Sequence, residues 1–155
     1  MIKVRSVSFE DKVRLIQLVK TMLGGENLDD TAKLVVEDFF INAQYKVFVV
    51  EELNIVSGFG VLKFESFEGA NAVAEIVWLK IDDNHKRKGY GKRLILFMEQ
   101  YAKENAVRKI YLKTGIDNKS AVCFYIMQDY KFEARMLDFG CEGHDDYYLA
   151  KNINN

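Results

Sequence analysis

The stretch from Glu75 to Arg93, EIVWLKIDDNHKRKGYGKR, constrains the possible folds of this chain more than any other. Ala72 to Ile81 is apolar and β-branched as a strand requires, Asp82 to His85 is a polar turn, and Gly89 to Glu104 carries Leu94, Phe97, Met98, Tyr101 and Ala102 at helical spacing. Lys109 to Thr114 then alternates Ile110, Leu112 and Thr114 against Tyr111 and Lys113. The result is a complete strand, helix, strand unit, predicted to be right-handed and parallel. Its first turn holds five cations, Lys86, Arg87, Lys88, Lys92 and Arg93, around Gly89 and Gly91. A helix start presents unpaired backbone N–H groups, and glycine lets the backbone come close to an anion, so this turn is predicted to hold phosphate groups.

Two familiar glycine loops fail on residue identity. A dinucleotide fingerprint needs glycine where Leu94 stands, and a Walker A loop needs glycine at Lys86 and Ser or Thr at Arg93. At 155 residues, 49% of them hydrophobic, the chain is read as a single domain spanning 1–155. A net charge of -1 argues against a nucleic-acid footprint, and basic charge is local to the loop. No apolar run suits a signal peptide or a membrane span, so a cytoplasmic protein without a membrane partner is expected. Cys123 and Cys141 lack CxxC spacing, and His85 and His144 lack a ligand-spaced partner, so neither a disulfide nor a metal is expected.

Elsewhere, Ile2 to Val7 alternates as an edge strand, and Ser8 with Asp11 marks a helix start running to about Met22, stopped by Gly24-Gly25. Thr31 to Ile41 is a second helix capped by Asp30 or Thr31. Tyr45 to Val50 and Ile55 to Phe64 form a hairpin in which Gly58 and Gly60 allow a bulge or close packing, and Ser66 to Asn71 is a turn. In the strand after it, strict alternation would put Glu75, Val77, Leu79 and Ile81 on one face. Glu99 stands four before Lys103, the spacing of a helical ion pair. Asn118 opens a last helix, ended by Asp129-Tyr130, before strands at about Phe132 to Phe139 and Asp146 to Ile153. Such an order gives an α/β (α+β mixed) sheet with helices on both faces.

Lys86-Arg87-Lys88-Gly89-Tyr90-Gly91 resembles the acetyl-CoA loop of the GNAT superfamily of N-acetyltransferases, in which Gln or Arg precedes two residues, Gly, one residue, and Gly or Ala. Lys86 departs from that pattern, keeping the charge without the guanidinium fork. Asn118, Ala121, Phe124-Tyr125 and then Tyr130-Lys131-Phe132 resemble the later pattern of the same family, with Asp129 where glycine is common. The resemblance covers roughly Ala72 to Phe139. It implies a GNAT-like, mostly antiparallel twisted sheet of about seven strands, with acetyl-CoA as co-substrate.

The resemblance also implies roles. Ala74-Glu75-Ile76-Val77 is similar to the strand that carries the general base of histone-acetylating members, so Glu75 matches the base, acting directly or through a water. A base is needed because a lysine-like ammonium, with a pKa of about 10, cannot attack while protonated. Apolar face-mates would desolvate Glu75 and make it a better base. Tyr125 matches the tyrosine that protonates or stabilises the departing thiolate. Backbone groups of Leu79 and Ile81 match the contacts to thioester and pantetheine. Lys86, Arg87, Lys88, Gly89, Tyr90, Gly91 and Lys92 match the pyrophosphate loop, and Asn118 matches a residue near the cofactor while also suiting a helix cap. No histidine adjoins Cys123, so direct attack in a ternary complex is expected rather than an acyl-enzyme.

The acceptor implied is a small-molecule or peptide amine. Glu26, Asp29 and Asp30 in one loop and Asp138, Glu142, Asp145 and Asp146 in another fall where the family's acceptor groove commonly lies, which favours a cationic amine. Many relatives are dimers, so a homodimer is an expectation. A non-catalytic acyl-CoA-binding or sensor module on the same fold is the alternative, and retention of both Glu75 and Tyr125 favours the enzyme.

Overall fold

The computed structural model describes residues 1–25, 27–64 and 71–154. Glu26 and all but the last residue of the turn expected at Ser66 to Asn71 lie outside the described residues. Strands β1 (Lys3–Ser6), β2 (Tyr45–Glu52), β3 (Ile55–Phe64), β4 (Val73–Ile81), β5 (Lys109–Gly115), β6 (Lys131–Cys141) and β7 (His144–Asn152) alternate with helices α1 (Lys12–Leu23), α2 (Asp29–Ile41), α3 (Tyr90–Glu104) and α4 (Lys119–Ile126). They build one sheet in the order β1-β2-β3-β4-β5-β7-β6. Only β4 and β5 run parallel. A mixed, mostly antiparallel seven-stranded sheet with β1 at one edge is the architecture expected.

Each face of the sheet carries a helical layer. Leu15, Leu18 and Val19 of α1 with Ala32, Val36 and Phe39 of α2 pack on Val47, Val49, Phe59 and Val61. On the other face Leu94, Ile95, Met98 and Ala102 of α3 and Tyr125 of α4 pack on Phe48, Val50, Leu62, Ile76, Ile110 and Leu112. The period-2 alternation of β2, Val47 and Val49 one way and Phe48 and Val50 the other, is what splits this apolar strand between two cores.

Local chemistry sets the element ends. The N–H and hydroxyl of Ser8 both donate to Asp11 Oδ2, at 2.8 and 3.0 Å, and a 3-10 turn at Phe9–Asp11 leads into α1. Gly24, at φ 69°, closes α1 in the left-handed conformation. Leu53 and Asn54 are both left-handed, so the β2–β3 hairpin turns on two residues, tighter than the four-residue connection expected. Asp129, at φ 67°, supplies the left-handed turn after α4 that glycine would otherwise supply.

Three expectations are corrected. Helix α2 starts at Asp29, so Asp29 and Asp30 lie inside its first turn, where they complement the helix dipole, and Leu28 is the cap position. Glu99 pairs not with Lys103 but with Lys151 of β7, at 2.9 Å, because α3 lies against the sheet and offers a better-desolvated partner. In β4 the register slips: Leu62 pairs with Ile76 and Val61 with Trp78, leaving Val77 as an extra residue. Leu79 and Ile81 therefore join the α3 and α4 face, while Val77 and Trp78 stay on the α1 and α2 face.

β4 presses close on Gly58 of β3. A Cβ there would fall 2.6 Å from the Lys80 carbonyl oxygen and 2.5 Å from Ile81 Cδ1. Gly58→Ala is expected to lower unfolding free energy by about 1–3 kcal/mol, the usual cost of overpacking, as a lowered denaturation midpoint would show.

Candidate active site

The parallel ladder between β4 and β5 is short. It joins Val73 to Lys109, Ala74 to Ile110 and Glu75 to Tyr111, and stops there. Beyond that point β4 stays paired to β3 as far as Ile81, and β5 stays paired to β7 as far as Gly115. The two strands thus flank a split whose walls are unpaired strand edges, with Glu75 at its closed end. At about 3.3 Å per residue, Glu75 to Ile81 spans about 20 Å, ending where α3 begins.

That helix start carries the expected features of an anion site. Gly89 is the N-cap at φ 86°, with no side-chain cap. The first helical bond runs from Arg93 N–H to Gly89 O, at 3.1 Å, so the N–H groups of Gly89, Tyr90, Gly91 and Lys92 precede it. Arg87, Lys92 and Arg93 are exposed, and among the described residues they pair with no carboxylate. Lys86 binds Asp83 at 2.7 Å, and Lys88 donates to the Asn84 carbonyl at 2.9 Å, so these two tie down the preceding turn. Tyr90 contributes only backbone: its ring is buried and its hydroxyl donates to Glu52 Oε2 at 2.5 Å. A Cβ on Gly91 would lie 3.3 Å from the Phe124 ring, so α4 closes over this turn.

The loop rests on a fixed base. Asp82 Oδ1 accepts from the Asn84 N–H at 2.9 Å, the Asp82 N–H donates to Ser57 O at 2.8 Å, and Arg14 of α1 reaches Asp82 Oδ2 at 2.6 Å. The guanidinium, followed by the Asn84 N–H, holds the Asp82 carboxyl down at about 2 from an ordinary 3.8.

Glu75 is buried, only 5% exposed, on the α1 and α2 side of the sheet. Tyr111 OH donates to its Oε2 at 3.2 Å, and Lys113 Nζ lies 3.2 Å from its Oε1. The apolar surroundings expected are replaced by a phenol and an ammonium, because the Val77 bulge carries Leu79 and Ile81 away. Tyr111 stacks on Tyr148, with centroids 6.3 Å apart, and Phe139 meets Tyr148 edge-on. Tyr125 lies across the sheet, buried against Phe124 and Tyr130, and burial pushes its phenol pKa up. Glu75 and Tyr125 share no hydrogen bond; they stand on opposite faces, at either side of the split. Asn118 Oδ1 accepts from the Ala121 N–H at 3.3 Å, the capping role.

Tyr111 and Lys113 are the residues that sequence reading missed. Their common face was legible in the alternation of β5, but which β4 residue they meet depends on a parallel register that no sequence signal carries. Of the acidic residues expected to flank an acceptor groove, Asp29 pairs with Lys20, Asp30 with Lys33 and Asp145 with Arg135, while Asp138 lies on β6 and Asp145 and Asp146 on β7 rather than in a loop. Cys123 is exposed. Among the described residues there is no group of three or more His, Cys, Asp or Glu placed to hold a metal ion, and no helix long and apolar enough to cross a membrane.

The family model described as Acetyltransferase (GNAT) family matches residues 13–130. The chain belongs to the GNAT family of acetyltransferases. Among solved structures, ribosomal-protein-alanine N-acetyltransferase from Brucella melitensis is 16% identical at a TM-score of 0.81, over 97% of this chain and 99% of that one. An aminoglycoside 6'-N-acetyltransferase complexed with coenzyme A is 15% identical at a TM-score of 0.84, over 99% and 98%. A Salmonella typhimurium protein solved with its cofactor acetyl-CoA is 16% identical at 0.79, over 99% and 95%. These likenesses establish a shared GNAT fold. No curated protein sequence matches.

Asp82 makes the loop's base sensitive to acid. A carboxylate held below its unfolded value adds stability above that value and loses it on protonation. Unfolding free energy is therefore expected to fall as pH drops from about 4 through about 2. In Asp82→Asn it should start lower at neutral pH and fall less over that window, as denaturant titrations at each pH would show.

Proposed function

We propose that residues 1–155 form one N-acetyltransferase unit that moves an acetyl group from acetyl-CoA to a primary amine by direct attack in a ternary complex. The observation that carries this reading is the split, which runs from a cationic helix N-terminus to a buried carboxylate. The pyrophosphate would lie on the N–H groups of Gly89 to Lys92, with Arg87, Lys92 and Arg93 supplying charge. Acetyl-CoA supplies the activated thioester. Its pantetheine arm would run down the split along the β4 edge past Ile81 and Leu79, where unpaired backbone groups match its amides as an added strand would.

The acceptor amine arrives on the Glu75 side. Glu75 takes the ammonium proton, the freed nitrogen attacks the thioester carbonyl carbon, and a C–N bond replaces the C–S bond. The sulfur leaves on the opposite face as a thiolate, where Tyr125, kept protonated by its raised pKa, donates to it, and the second proton lost by the nitrogen restores the phenol through solvent. The Tyr111, Tyr148 and Phe139 rings line the approach to Glu75 and suit a cationic acceptor. The solved relatives named above act on an aminoglycoside and on a ribosomal protein's alanine, and both acceptors present amines.

Calorimetry should show coenzyme A binding to the wild type and at least about tenfold weaker binding to a folded Gly89→Glu, Gly91→Glu variant, whose carboxylates repel the phosphates. Unchanged affinity would remove the pyrophosphate from this loop.

Thiol release against a panel of primary amines tests the chemistry. Glu75→Gln and Tyr125→Phe are each expected to lower kcat about 10²-fold while coenzyme A affinity stays near wild type. Tight coenzyme A binding without turnover of any amine would identify a binding module instead.

A further inference from the structure

We propose that Lys113 is a self-acetylation site, its side-chain amine taking the acetyl group in cis from acetyl-CoA held in the split. The proposal rests on the functional reading above, with Glu75 as base. Lys113 lies two residues beyond Tyr111, the last β5 residue paired to β4, and so stands on the wall of the split itself. Its Nζ is 3.2 Å from Glu75 Oε1 and 5.5 Å above the Phe139 ring centroid. A primary ammonium thus already occupies the place where an acceptor's ammonium must sit, held by a carboxylate and an aromatic face. Lys63, opposite Glu75 in the register, lies across the closed β3–β4 ladder and not on the split. Lys12, Lys20, Lys33 and Lys109 pair with carboxylates other than Glu75.

The step balances. The Lys113 ammonium gives a proton to Glu75, its lone pair attacks the thioester carbonyl carbon, the C–N bond forms and the C–S bond breaks. Of the two protons Lys113 loses, one passes through Glu75 to solvent and the other ends on the coenzyme A sulfur. The resulting amide is uncharged and no longer competes with an acceptor for Glu75.

The test incubates the full chain with deuterated acetyl-CoA and no added acceptor, then maps the label by peptide mass spectrometry. The label is expected predominantly on Lys113, at a first-order rate independent of protein concentration. It should slow about 10²-fold in Glu75→Gln and be missing at position 113 in Lys113→Arg, which keeps a cation there. If Glu75→Gln does not fold, Tyr125→Phe serves the same comparison. Label spread over exposed lysines, an equal rate in the base variant, or a rate that rises with protein concentration would overturn the proposal. Parallel thiol-release assays separate it from the broader reading. Amine turnover with Lys113 unlabelled overturns self-acetylation alone, whereas coenzyme A binding with neither turnover nor label overturns both.

Discussion

The ladder between β4 and β5 ends at Glu75 and Tyr111, and the proposed site is arranged around that ending. Each strand keeps its outer partner, β3 for β4 and β7 for β5, so parting costs only the hydrogen bonds between them. The extra residue at Val77 drives the parting, since a bulge adds twist and bends the strand that carries it. It has a second effect. By reversing the pleat it sends Leu79 and Ile81 into the α3 and α4 core and leaves the Glu75 face to polar and aromatic groups. Two strand edges with unmatched backbone groups then face each other, and an extended ligand bearing amides is the chemical complement of such a gap.

A loop proposed to cradle a polyanion must hold its own shape against the repulsion of its cations, and here shape and outward charge come from different residues. Asp82, Asp83 and the Asn84 carbonyl absorb Arg14, Lys86 and Lys88, fixing the turn before the helix. Tyr90 anchors the first residue of α3 in the core through Glu52. Among the described residues Arg87, Lys92 and Arg93 have no carboxylate partner, and all three are exposed. The loop's ordering entropy is thus met within the fold, not at binding.

Most of the fold was legible in the sequence because it rests on periodicity and on turn chemistry. Alternation in Tyr45 to Val50 and helical spacing in Gly89 to Glu104 are local signals, and Gly24 and Asp129 mark the ends of α1 and α4 at left-handed positions. The loop cations and Asn118 were legible for the same reason. What escaped depends on relations between segments. A single slipped residue in β4 is invisible to an alternation count, yet it moved two of the three side chains expected beside Glu75. The Lys113 and Tyr111 contacts follow from a parallel register, and the Glu99 ion pair from where α3 lands on β7. The ion pairs of Asp29 and Asp145 escaped because Lys20 and Arg135 lie on flanking elements, outside the windows in which charge was counted.

The pairing of Glu75 also bears on why an amine, and not an alcohol, should be the acceptor. A carboxylate this buried is costly to leave unpaired, by several kcal/mol. An incoming ammonium that displaces Lys113 exchanges one cation for another, and the carboxylate stays paired and hydrogen-bonded to Tyr111 throughout. A hydroxyl acceptor offers one neutral hydrogen bond in place of an ion pair, so its entry must either leave Lys113 in the way or strand the carboxylate beside a vacated cation site. The discrimination needs no contact to the rest of the acceptor. In the proposed reaction it would be imposed at the reacting atom, by a buried carboxylate already paired with a cation.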